Sequence, residues 1–313
     1  MTATGHNTAG LRIATRGSEQ ARVQAGHVAA LITAATGRPV ELVFVETTGD
    51  KVLDRPIWEI GGRGVFTKEV QAAVLDGRAD FAVHSAKDLP ASWTTDGLVL
   101  AAVPERGDPR DALAGLALDH LHHGATVATG SVRRRTQLAH RRPDLHFVGL
   151  RGNIPTRIAR ARPAGQPATA DDGLADAIVV AVAGATWVGL GDRLVQRFGV
   201  EEMVPQVGQG ALAIECRLDD ADSRAAAAAI EHASSRRCVD AERSFLARLG
   251  GGCDLPVGAH AVLDAHGRLH VTGLIASADG ATVLRDIAEG DDIDVGARLA
   301  ERLLVEGDKL LGR

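Results

Sequence analysis

The feature of this sequence that most constrains its fold is an apolar run from Ala177 to Ala183, Ala-Ile-Val-Val-Ala-Val-Ala, which contains no polar side chain. A strand of a sheet that faces water on one side alternates apolar and polar residues, whereas a strand covered on both faces is apolar throughout. The run therefore favours a parallel sheet with helices on both faces, which is an α/β fold. In open sheets of this kind, ligands bind beyond the carboxyl ends of the strands.

The length and composition are those of a globular protein with more than one domain. The chain has 313 residues, of which 45% are hydrophobic and 24% are charged. A single core rarely extends over so many residues, so we expect two or three domains. The formal charge of −5 argues against a general nucleic-acid-binding protein, and no apolar run is long enough to cross a membrane. The first residues show no secretory signal, so we expect a cytoplasmic protein that binds neither nucleic acid nor membrane.

The order of the predicted strands and helices divides the chain into three domains. A polar stretch from Pro104 to Pro109 and the segment from Met203 to Arg217 are predicted to be crossings between two α/β halves. From about Ala221 onward, helices and short strands replace the α/β pattern. We therefore expect domain 1 over residues 1–104 and 203–220, domain 2 over 105–202 and a smaller α+β domain 3 over 221–313. Two halves joined by two crossings predict a cleft between them, where small ligands commonly bind.

A short apolar segment, Phe81-Ala-Val, ends in a cluster of polar residues at His84, Ser85, Lys87 and Asp88. A hydroxyl, an ammonium and a carboxylate at the end of a buried strand suit an anionic substrate and a proton transfer. Taken alone, the same residues are more typical of a surface turn with a solvated Lys–Asp pair. The arginines elsewhere in the chain favour the first interpretation.

Arginines follow several of the predicted strands in both α/β halves. They lie near the hydroxyl groups of Ser18, Thr129 and Ser131, and they are Arg16, Arg133, Arg134, Arg151 and Arg157. Guanidinium groups bind carboxylates and phosphates bidentately, and backbone amides at a helix start add further donors. Five arginines at such positions favour a multiply anionic ligand over five solvated surface residues. A nucleic-acid patch is disfavoured, because aromatic residues make up only 3% of the chain and offer few surfaces for base stacking.

Two glycine-rich loops carry polar residues whose roles the sequence leaves open. Cys253 lies between glycines and Asp254, and a thiol in such a loop is either a candidate nucleophile or an incidental cysteine. Gln209 lies between two glycines, which suit a tight crossing between the domains. Its amide either bonds to the backbone there or binds a ligand. The three cysteines show neither metal-ligand nor disulfide spacing, so we expect no metal site.

Six motifs of the chain resemble those of the porphobilinogen deaminase family, also called hydroxymethylbilane synthases. The resemblance extends over essentially the whole chain from Leu11, and the motifs occur in the family's order and at matching intervals. The motifs are Ala14-Thr-Arg-Gly-Ser18, Gly61-Gly-Arg-Gly-Val-Phe-Thr-Lys-Glu69, Ala82-Val-His-Ser-Ala-Lys-Asp-Leu-Pro90, Thr129-Gly-Ser-Val-Arg-Arg134, Leu150-Arg-Gly-Asn-Ile-Pro-Thr-Arg157 and Gly251-Gly-Cys-Asp-Leu-Pro256.

The resemblance implies a fold, a cofactor and a reaction. The first two domains are expected to be α/β domains like those of periplasmic binding proteins, flanking a cleft, with a smaller α+β domain at the C terminus. The family carries a dipyrromethane cofactor, joined by a thioether to the cysteine that matches Cys253. It adds four porphobilinogen molecules to this primer, loses ammonia each time, and releases the linear tetrapyrrole hydroxymethylbilane for heme synthesis. The family precedent also predicts a monomer.

The resemblance assigns a role to each matching residue. Asp88 matches the catalytic aspartate, which helps the amino group leave as ammonia and stabilises cationic intermediates. The residues expected to bind the cofactor are Cys253, Lys87, Ser85, Thr129, Ser131, Arg133, Arg134, Arg151 and Gly152. Those expected to bind the substrate are Arg16, Ser18, Gln24, Phe66, Arg157 and Gln209.

Several positions depart from the family's usual pattern, and two of them lose a polar group. Trp187 occupies the place of an arginine that binds a substrate carboxylate, and Gly130 occupies the place of a serine. The alternative hypothesis is therefore a degenerate, non-catalytic protein with two lobes that binds an anion. Because Asp88 and Cys253 are both retained, we expect an active enzyme with altered kinetics.

Overall fold

The computed structural model describes residues 10–47, 67–91, 95–163, 166, 173–250 and 255–311. The contacts between these residues divide the chain into two units. The first unit contains the described residues of Met1–His84, Trp93–Glu105 and Leu212–Ala233, and the second contains those of Ser85–Ser92, Arg106–Ala211 and Ser234–Arg313. The predicted division into three domains has other bounds than these two units and stays a prediction.

The first unit is built on a five-stranded sheet with the strand order β2-β1-β3-β10-β4. Its strands are β1 Leu11–Arg16, β2 Val40–Val45, β3 Phe81–Ser85, β4 Leu98–Ala102 and β10 Leu212–Arg217. Strand β1 pairs in parallel with β2 and β3, whereas β10 and β4 pair antiparallel. The apolar residues Ile13 and Phe81 are fully buried, because β1 and β3 lie inside the sheet.

Three helices pack on this sheet: α1 Glu19–Thr36, α2 Lys68–Leu75 and α6 Ala221–Ala228. Ser18 caps the start of α1, since its Oγ accepts a hydrogen bond of 3.3 Å from the backbone N–H of Ala21. The helix ends at Gly37 with φ 72°, a left-handed conformation that glycine adopts without strain. The sequence features at both ends of α1 therefore determine where it starts and stops.

His84 does not belong to the polar cluster that follows β3. It is buried, and its Nε2 lies 3.0 Å from Oε2 of Glu215 on β10. The same carboxylate oxygen accepts a hydrogen bond of 2.8 Å from Nε2 of Gln71 on α2. His84 thus links elements inside the first unit.

The second unit contains another five-stranded sheet, with the order β7-β6-β8-β5-β9. Its strands are β5 Asp111–Gly115, β6 Thr126–Ala128, β7 His146–Val148, β8 Ala177–Ala181 and β9 Leu194–Arg197. Every residue of β8 is buried, and alternate residues contribute to two different cores, as expected for a strand covered on both faces. The helices of this sheet are α3 Val132–Arg141, α4 Ile154–Ile158 and α5 Val182–Trp187.

The prediction of a parallel sheet was only partly correct. Strand β8 is parallel to β6 on one side but antiparallel to β5 on the other. A strand that is buried on both faces must be apolar whatever the direction of its neighbours. The apolar pattern therefore did not distinguish a parallel sheet from a mixed one. The run also divides between two elements, because Val182 and Ala183 begin helix α5.

The two five-stranded sheets have the same strand plan. In each, the second strand in the order is parallel to the first and third, and the last two strands are antiparallel. The fourth place is taken by β10 in the first sheet and by β5 in the second. Strand β10 begins where the chain returns to the first unit at Leu212, and β5 follows the entry into the second unit at Arg106. The predicted α/β class with two similar halves is confirmed.

The C-terminal part of the second unit is a smaller α+β region, as predicted. It contains an antiparallel sheet of β11 Val257–Leu263, β12 Leu269–Ala276 and β13 Val283–Gly290, with helices α7 Ala233–Leu249 and α8 Val295–Gly307. Phe245 of α7 and Leu299 of α8 are fully buried in one core with Ile275. Across the described ranges, no helix is both long enough and apolar enough to cross a bilayer.

Candidate active site

The chain leaves β3 through a short turn that presents Lys87 and Asp88. Ala86–Asp88 form one turn of 3₁₀ helix, in which Lys87 is half-buried and Asp88 is exposed. The backbone N–H of Ala86 donates to the carbonyl of Ala211 at 2.9 Å, and Nε2 of Gln206 donates to the carbonyl of Lys87 at 3.3 Å. The turn is therefore fixed by the loop that precedes β10.

A buried carboxylate, Asp111, lies between the two arginines at the start of α3. Nη1 of Arg133 donates to Oδ2 of Asp111 at 2.7 Å, and Nε of Arg134 donates to Oδ1 at 2.9 Å. Burial opposes ionisation of Asp111, but the two guanidinium groups outweigh it and hold its pKa well below the usual range. One negative charge therefore balances only one of the two buried positive charges.

Gln209 connects this ion pair network to the turn after β3. Its Nε2 donates to the carbonyl of Pro109 at 2.8 Å and to Oδ1 of Asp111 at 2.9 Å. Its Oε1 accepts hydrogen bonds of 3.4 Å from both Lys87 and Arg134. All four bonds agree with one orientation of the amide, so Gln209 is held as a bridge between the cations and Asp111.

The segment that contains Ala86 and Lys87 approaches the backbone beside Gln209 so closely that position 208 requires glycine. Gly208 has φ 70°, and a Cβ atom at this position would lie 3.1 Å from Cβ of Ala86 and 3.2 Å from the backbone nitrogen of Lys87. A larger residue would push the Lys87–Asp88 turn away from Gln209. The glycines that suggested a tight crossing thus also permit this contact.

Hydroxyl groups at the start of α3 cap the helix and keep a proton to donate. Oγ of Ser131 accepts a hydrogen bond of 3.4 Å from the backbone N–H of Arg134, and Oγ1 of Thr129 accepts one of 3.2 Å from the N–H of Ser131. A hydroxyl that accepts in this way still has its own O–H to donate. Both hydroxyls can therefore bind a carboxylate without giving up their structural bonds.

A second loop, after β7, carries Arg151, Gly152 and Arg157. Gly152 has φ 106°, and its carbonyl accepts a hydrogen bond of 2.7 Å from Nε of Arg157. Asn153 caps the short helix α4, with Oδ1 accepting from the N–H of Thr156 at 2.9 Å. The bond to Gly152 therefore directs the Arg157 side chain towards the start of the same loop.

The cations of the second unit lie close enough to influence one another. Burial and the nearby charge of Arg134 together lower the pKa of Lys87 to about 8, although Asp88 and Asp111 oppose the change. Burial also lowers the pKa of Arg157 to about 10, with Arg134 and Arg151 adding to the effect and Asp88 opposing it. The site therefore combines five cationic side chains with two carboxylates, and an anionic ligand would relieve the excess positive charge. The cations are Lys87, Arg133, Arg134, Arg151 and Arg157.

Three predicted substrate residues belong to the first unit. Arg16 is half-buried at the end of β1, Ser18 caps α1 and Gln24 is buried on α1. They are brought together by the strand–helix connection that the sequence predicted. Phe66 and Cys253 lie outside the described residues, so their roles stay predictions. Among the side chains that the structure describes, no group of three His, Cys, Asp or Glu is placed to hold a metal ion.

Sequence reasoning missed Asp111. The residue opens a strand that is otherwise apolar, Asp-Ala-Leu-Ala-Gly, immediately after the predicted crossing. A single carboxylate in such a strand indicates a buried charge that needs a partner. That signal was available, but its arginine partners are 22 and 23 residues away, and only the fold joins them.

The fold and this site define an α/β protein with a cluster of arginines and a lysine that is suited to a multiply anionic small molecule. Residues 11–225 match the family model described as "Porphobilinogen deaminase, dipyromethane cofactor binding domain", and residues 236–305 match that of "Porphobilinogen deaminase, C-terminal domain". The chain belongs to the porphobilinogen deaminase family, which confirms the predicted membership.

Similar proteins include curated relatives and solved structures. A porphobilinogen deaminase of Nitratidesulfovibrio vulgaris is 43% identical over 308 residues, covering 95% of this chain and 94% of the relative. One from Brevibacillus brevis is 42% identical over 271 residues, covering 85% and 84%. A periplasmic substrate-binding protein of an ABC transporter from Coxiella burnetii is 14% identical, with a TM-score of 0.43, covering 72% of this chain and 93% of its own.

The described residues fit the dipyrromethane that the family model names. Nε and Nη2 of Arg133 are buried, and within the described part of the chain neither has a hydrogen-bond acceptor. Arg133 also lines a small cavity together with Ser131 and Leu255, and Leu255 follows Cys253 by two residues. Two unsatisfied donors on one cation are suited to a ligand carboxylate. The dipyrromethane of this family carries carboxylate side groups of that kind.

Proposed function

We propose that this chain is an active porphobilinogen deaminase that joins four porphobilinogen molecules head to tail and releases hydroxymethylbilane for heme synthesis. The observation that carries the proposal is the buried cation cluster, with two donors of Arg133 unsatisfied among the described residues. It occurs in a chain whose family membership extends over both family models. Porphobilinogen carries an acetate and a propionate, so each added unit brings further carboxylates to such a cluster.

The cofactor is held by the residues around Asp111 and by Cys253. When bound, the dipyrromethane supplies the pyrrole carbon to which the first porphobilinogen is added. The Cys253 sulfur anchors it through a thioether, while hydroxyls and cations bind its carboxylates. The hydroxyls and cations are those of Ser85, Lys87, Thr129, Ser131, Arg133, Arg134 and Arg151, and Gly152 contributes its backbone N–H.

The substrate is bound by a second set of donors. Arg157 is oriented by its hydrogen bond to the carbonyl of Gly152, and the charge of Asp88 favours its charged form. Arg16 and Ser18 supply a guanidinium and a hydroxyl at the start of α1, where backbone N–H groups favour anions. The amides of Gln24 and Gln209 add further donors nearby, and Phe66 shields the site from water.

Asp88 donates and accepts the protons that the reaction transfers. Its carboxyl is exposed on a fixed turn, and its charge acts on both Lys87 and Arg157. A carboxyl there can hand a proton to the departing amino group of porphobilinogen, so that it leaves as ammonia. As a carboxylate it then offsets developing positive charge and takes up the proton released from the pyrrole ring.

The non-catalytic alternative rests on Trp187. This half-buried residue ends helix α5, and indole cannot form the ion pair that an arginine would make with a carboxylate. Asp88 and the cation cluster are nevertheless present. We therefore expect turnover, with weaker binding of the substrate, in a monomeric cytoplasmic enzyme.

The intact mass of the protein tests this function. Purified wild-type protein should exceed its translated mass by one dipyrromethane, and Cys253→Ser should not. Asp88→Asn should fold normally but convert porphobilinogen to hydroxymethylbilane at a rate reduced about 100-fold or more. A wild-type mass equal to the bare chain would contradict the cofactor assignment, and normal turnover by Asp88→Asn would contradict the role of that carboxyl.

A further inference from the structure

Two consecutive residues of helix α7, Glu242 and Arg243, contact the two loops that carry the candidate site. Successive helix residues point about 100° apart, so neighbours reach different surroundings. Both side chains are buried, with exposed fractions of 0% and 3%. Buried charges are costly unless they are paired and hydrogen-bonded, which raises the question of what each one holds.

Glu242 holds the backbone on the N-terminal side of Gln209. Its Oε2 accepts a hydrogen bond of 2.7 Å from the N–H of Gly208, and its Oε1 accepts one of 2.9 Å from the N–H of Ala261 on β11. Its oxygens also lie 2.6 and 3.2 Å from the two terminal nitrogens of Arg106. The carboxylate thus connects α7 to the Gln209 loop and to β11.

Arg106 fixes the other side of the same residue. Its Nε donates to the carbonyl of Gln209 at 2.9 Å, while its terminal nitrogens bind Glu242. The peptide group before Gly208 and the peptide group after Gln209 are therefore both tied to one buried ion pair. Because the Gln209 side chain bridges Lys87 and Asp111, a shift of this backbone would move that bridge.

Arg243 holds the segment that follows Asp88. Its Nη2 donates to the carbonyl of Pro90 and, at 3.0 Å, to the carbonyl of Ala91. These carbonyls lie two and three residues after Asp88. Binding both from one guanidinium fixes the direction in which the chain leaves the Lys87–Asp88 turn.

We propose that Glu242 and Arg243 are positioning residues. From one helix, they hold the loop of Gln209 and the turn of Asp88 in a fixed position relative to each other. An apolar pair of similar size would fill the same space without burying charge, so the charges are retained for the geometry that they impose. Helix α7 ends at Leu249, four residues before Cys253, and so also leads into the cofactor loop. This inference rests on the proposed function for its catalytic consequence, but not for its structural one.

The structural consequence is tested by hydrogen–deuterium exchange of the cofactor-carrying protein, followed by mass spectrometry. Arg243→Met should speed exchange in the peptide 86–91, and Glu242→Gln should speed it in the peptide 205–211. Arg248→Met is the matched control, because Arg248 lies on the same helix but forms an exposed pair with Glu301. Exchange in both peptides that matches the control would overturn the proposal.

The catalytic consequence is tested by steady-state kinetics of the same proteins with porphobilinogen. Both variants should lower kcat about 10- to 100-fold, with a smaller change in KM, because a displaced Asp88 or Gln209 affects the reacting geometry more than initial binding. Unchanged kcat in folded variants would refute the positioning role. If either variant does not fold, Arg243→Lys and Glu242→Asp, which keep the charges, should show the same effects in milder form.

The two proposals fail in different ways. If the proposed function is wrong, the wild-type protein itself shows neither the dipyrromethane mass nor turnover, whereas the exchange pattern of the variants still reports on the loops. If only the positioning role is wrong, wild-type turnover is normal and the variants resemble Arg248→Met.

Discussion

At the scale of single residues, Asp111 orients the two buried arginines of the site and offsets part of their positive charge. Arg133 and Arg134 were predicted to meet a ligand, and the structure shows that both also bind the same buried carboxylate. This pairing orients two long side chains before any ligand arrives, and so reduces the ordering that binding would require. The remaining positive charge and the unsatisfied donors of Arg133 are available to carboxylates of the ligand.

Replacing Asp111 with asparagine should destabilise the fold strongly. Asp111→Asn keeps the size of the side chain but leaves two buried guanidiniums without a counter-charge, so the free energy of unfolding should fall by about 3–5 kcal/mol. Urea denaturation measures this change. Glu301→Gln, which removes an exposed pair with Arg248, is the control and should cost less than about 1 kcal/mol. Equal, small losses for both variants would contradict the role of Asp111.

The ammonium of Lys87 should titrate at an unusually low pH in protein without cofactor. Burial and the neighbouring arginines lower its pKa to about 8, whereas a cofactor carboxylate beside it would stabilise the charged form and raise the pKa. Labelling with acetic anhydride over a pH series, with peptide mass spectrometry, measures the midpoint. We expect a midpoint near pH 8 in Cys253→Ser and a higher one in wild type. The same midpoint in both proteins would place Lys87 away from the cofactor.

At the scale of elements, the site is built from strand ends and helix starts. The caps at Ser18, Ser131 and Asn153 were readable from the sequence in part, because a small polar side chain before a helical segment has a local partner. Strands β5, β9 and β11 were not predicted. Their stability depends on neighbours far along the chain, and β9 and β11 mix small, polar and apolar residues with no clear period.

The departure at Gly130 should be a local structural requirement. A Cβ atom there would lie 2.9 Å from the carbonyl oxygen of Leu150, so Gly130→Ser must displace the backbone after β6 or β7. We expect a loss of about 1–3 kcal/mol in the free energy of unfolding, measured by urea denaturation. Gly149→Ser is the matched control, since no atom lies within 4 Å of the corresponding Cβ. A Gly130→Ser variant as stable as the control would show that the loop accommodates the hydroxyl that other family members carry.

At the scale of the whole molecule, buried ion pairs couple stability to pH. Glu242 and Asp111 are fully buried carboxylates in the second unit, and each is held ionised by arginines. For Glu242, burial opposes ionisation, but Arg106 and His260 outweigh it and lower the pKa to about 2. A carboxyl with a lower pKa in the folded state adds stability above its unfolded pKa, and this contribution disappears as the pH falls through the folded value.

The protein should therefore lose stability steadily in acid. The contribution of Glu242 is complete above its ordinary value of 4.5 and is lost as the pH falls towards 2. Urea denaturation at pH 7, 5, 4 and 3 measures the trend. Glu242→Gln, which cannot titrate, should start less stable but show a flatter dependence between pH 5 and 3. Parallel curves for the variant and the wild type would mean that Glu242 is not held ionised by folding.

The sequence by itself determined the α/β class, the strands that lead into the site, the start of α1 and the family. These follow from local rules: apolar runs bury, small polar residues cap, and motifs in the order of a known family identify relatives. The sequence also located the cluster of cations, since Lys87 and the arginines follow the ends of three predicted strands.

Only the tertiary structure decided how these residues are paired. Asp111, Glu242 and Arg243 obtain their partners from segments more than 20 residues away, with the exception of His260 and Ala261, which are 18 and 19 residues from Glu242. The direction of β5 beside β8 was decided in the same way. The physical reason is that burial depends on what surrounds a residue, while the identity and direction of its neighbour depend on how distant segments meet.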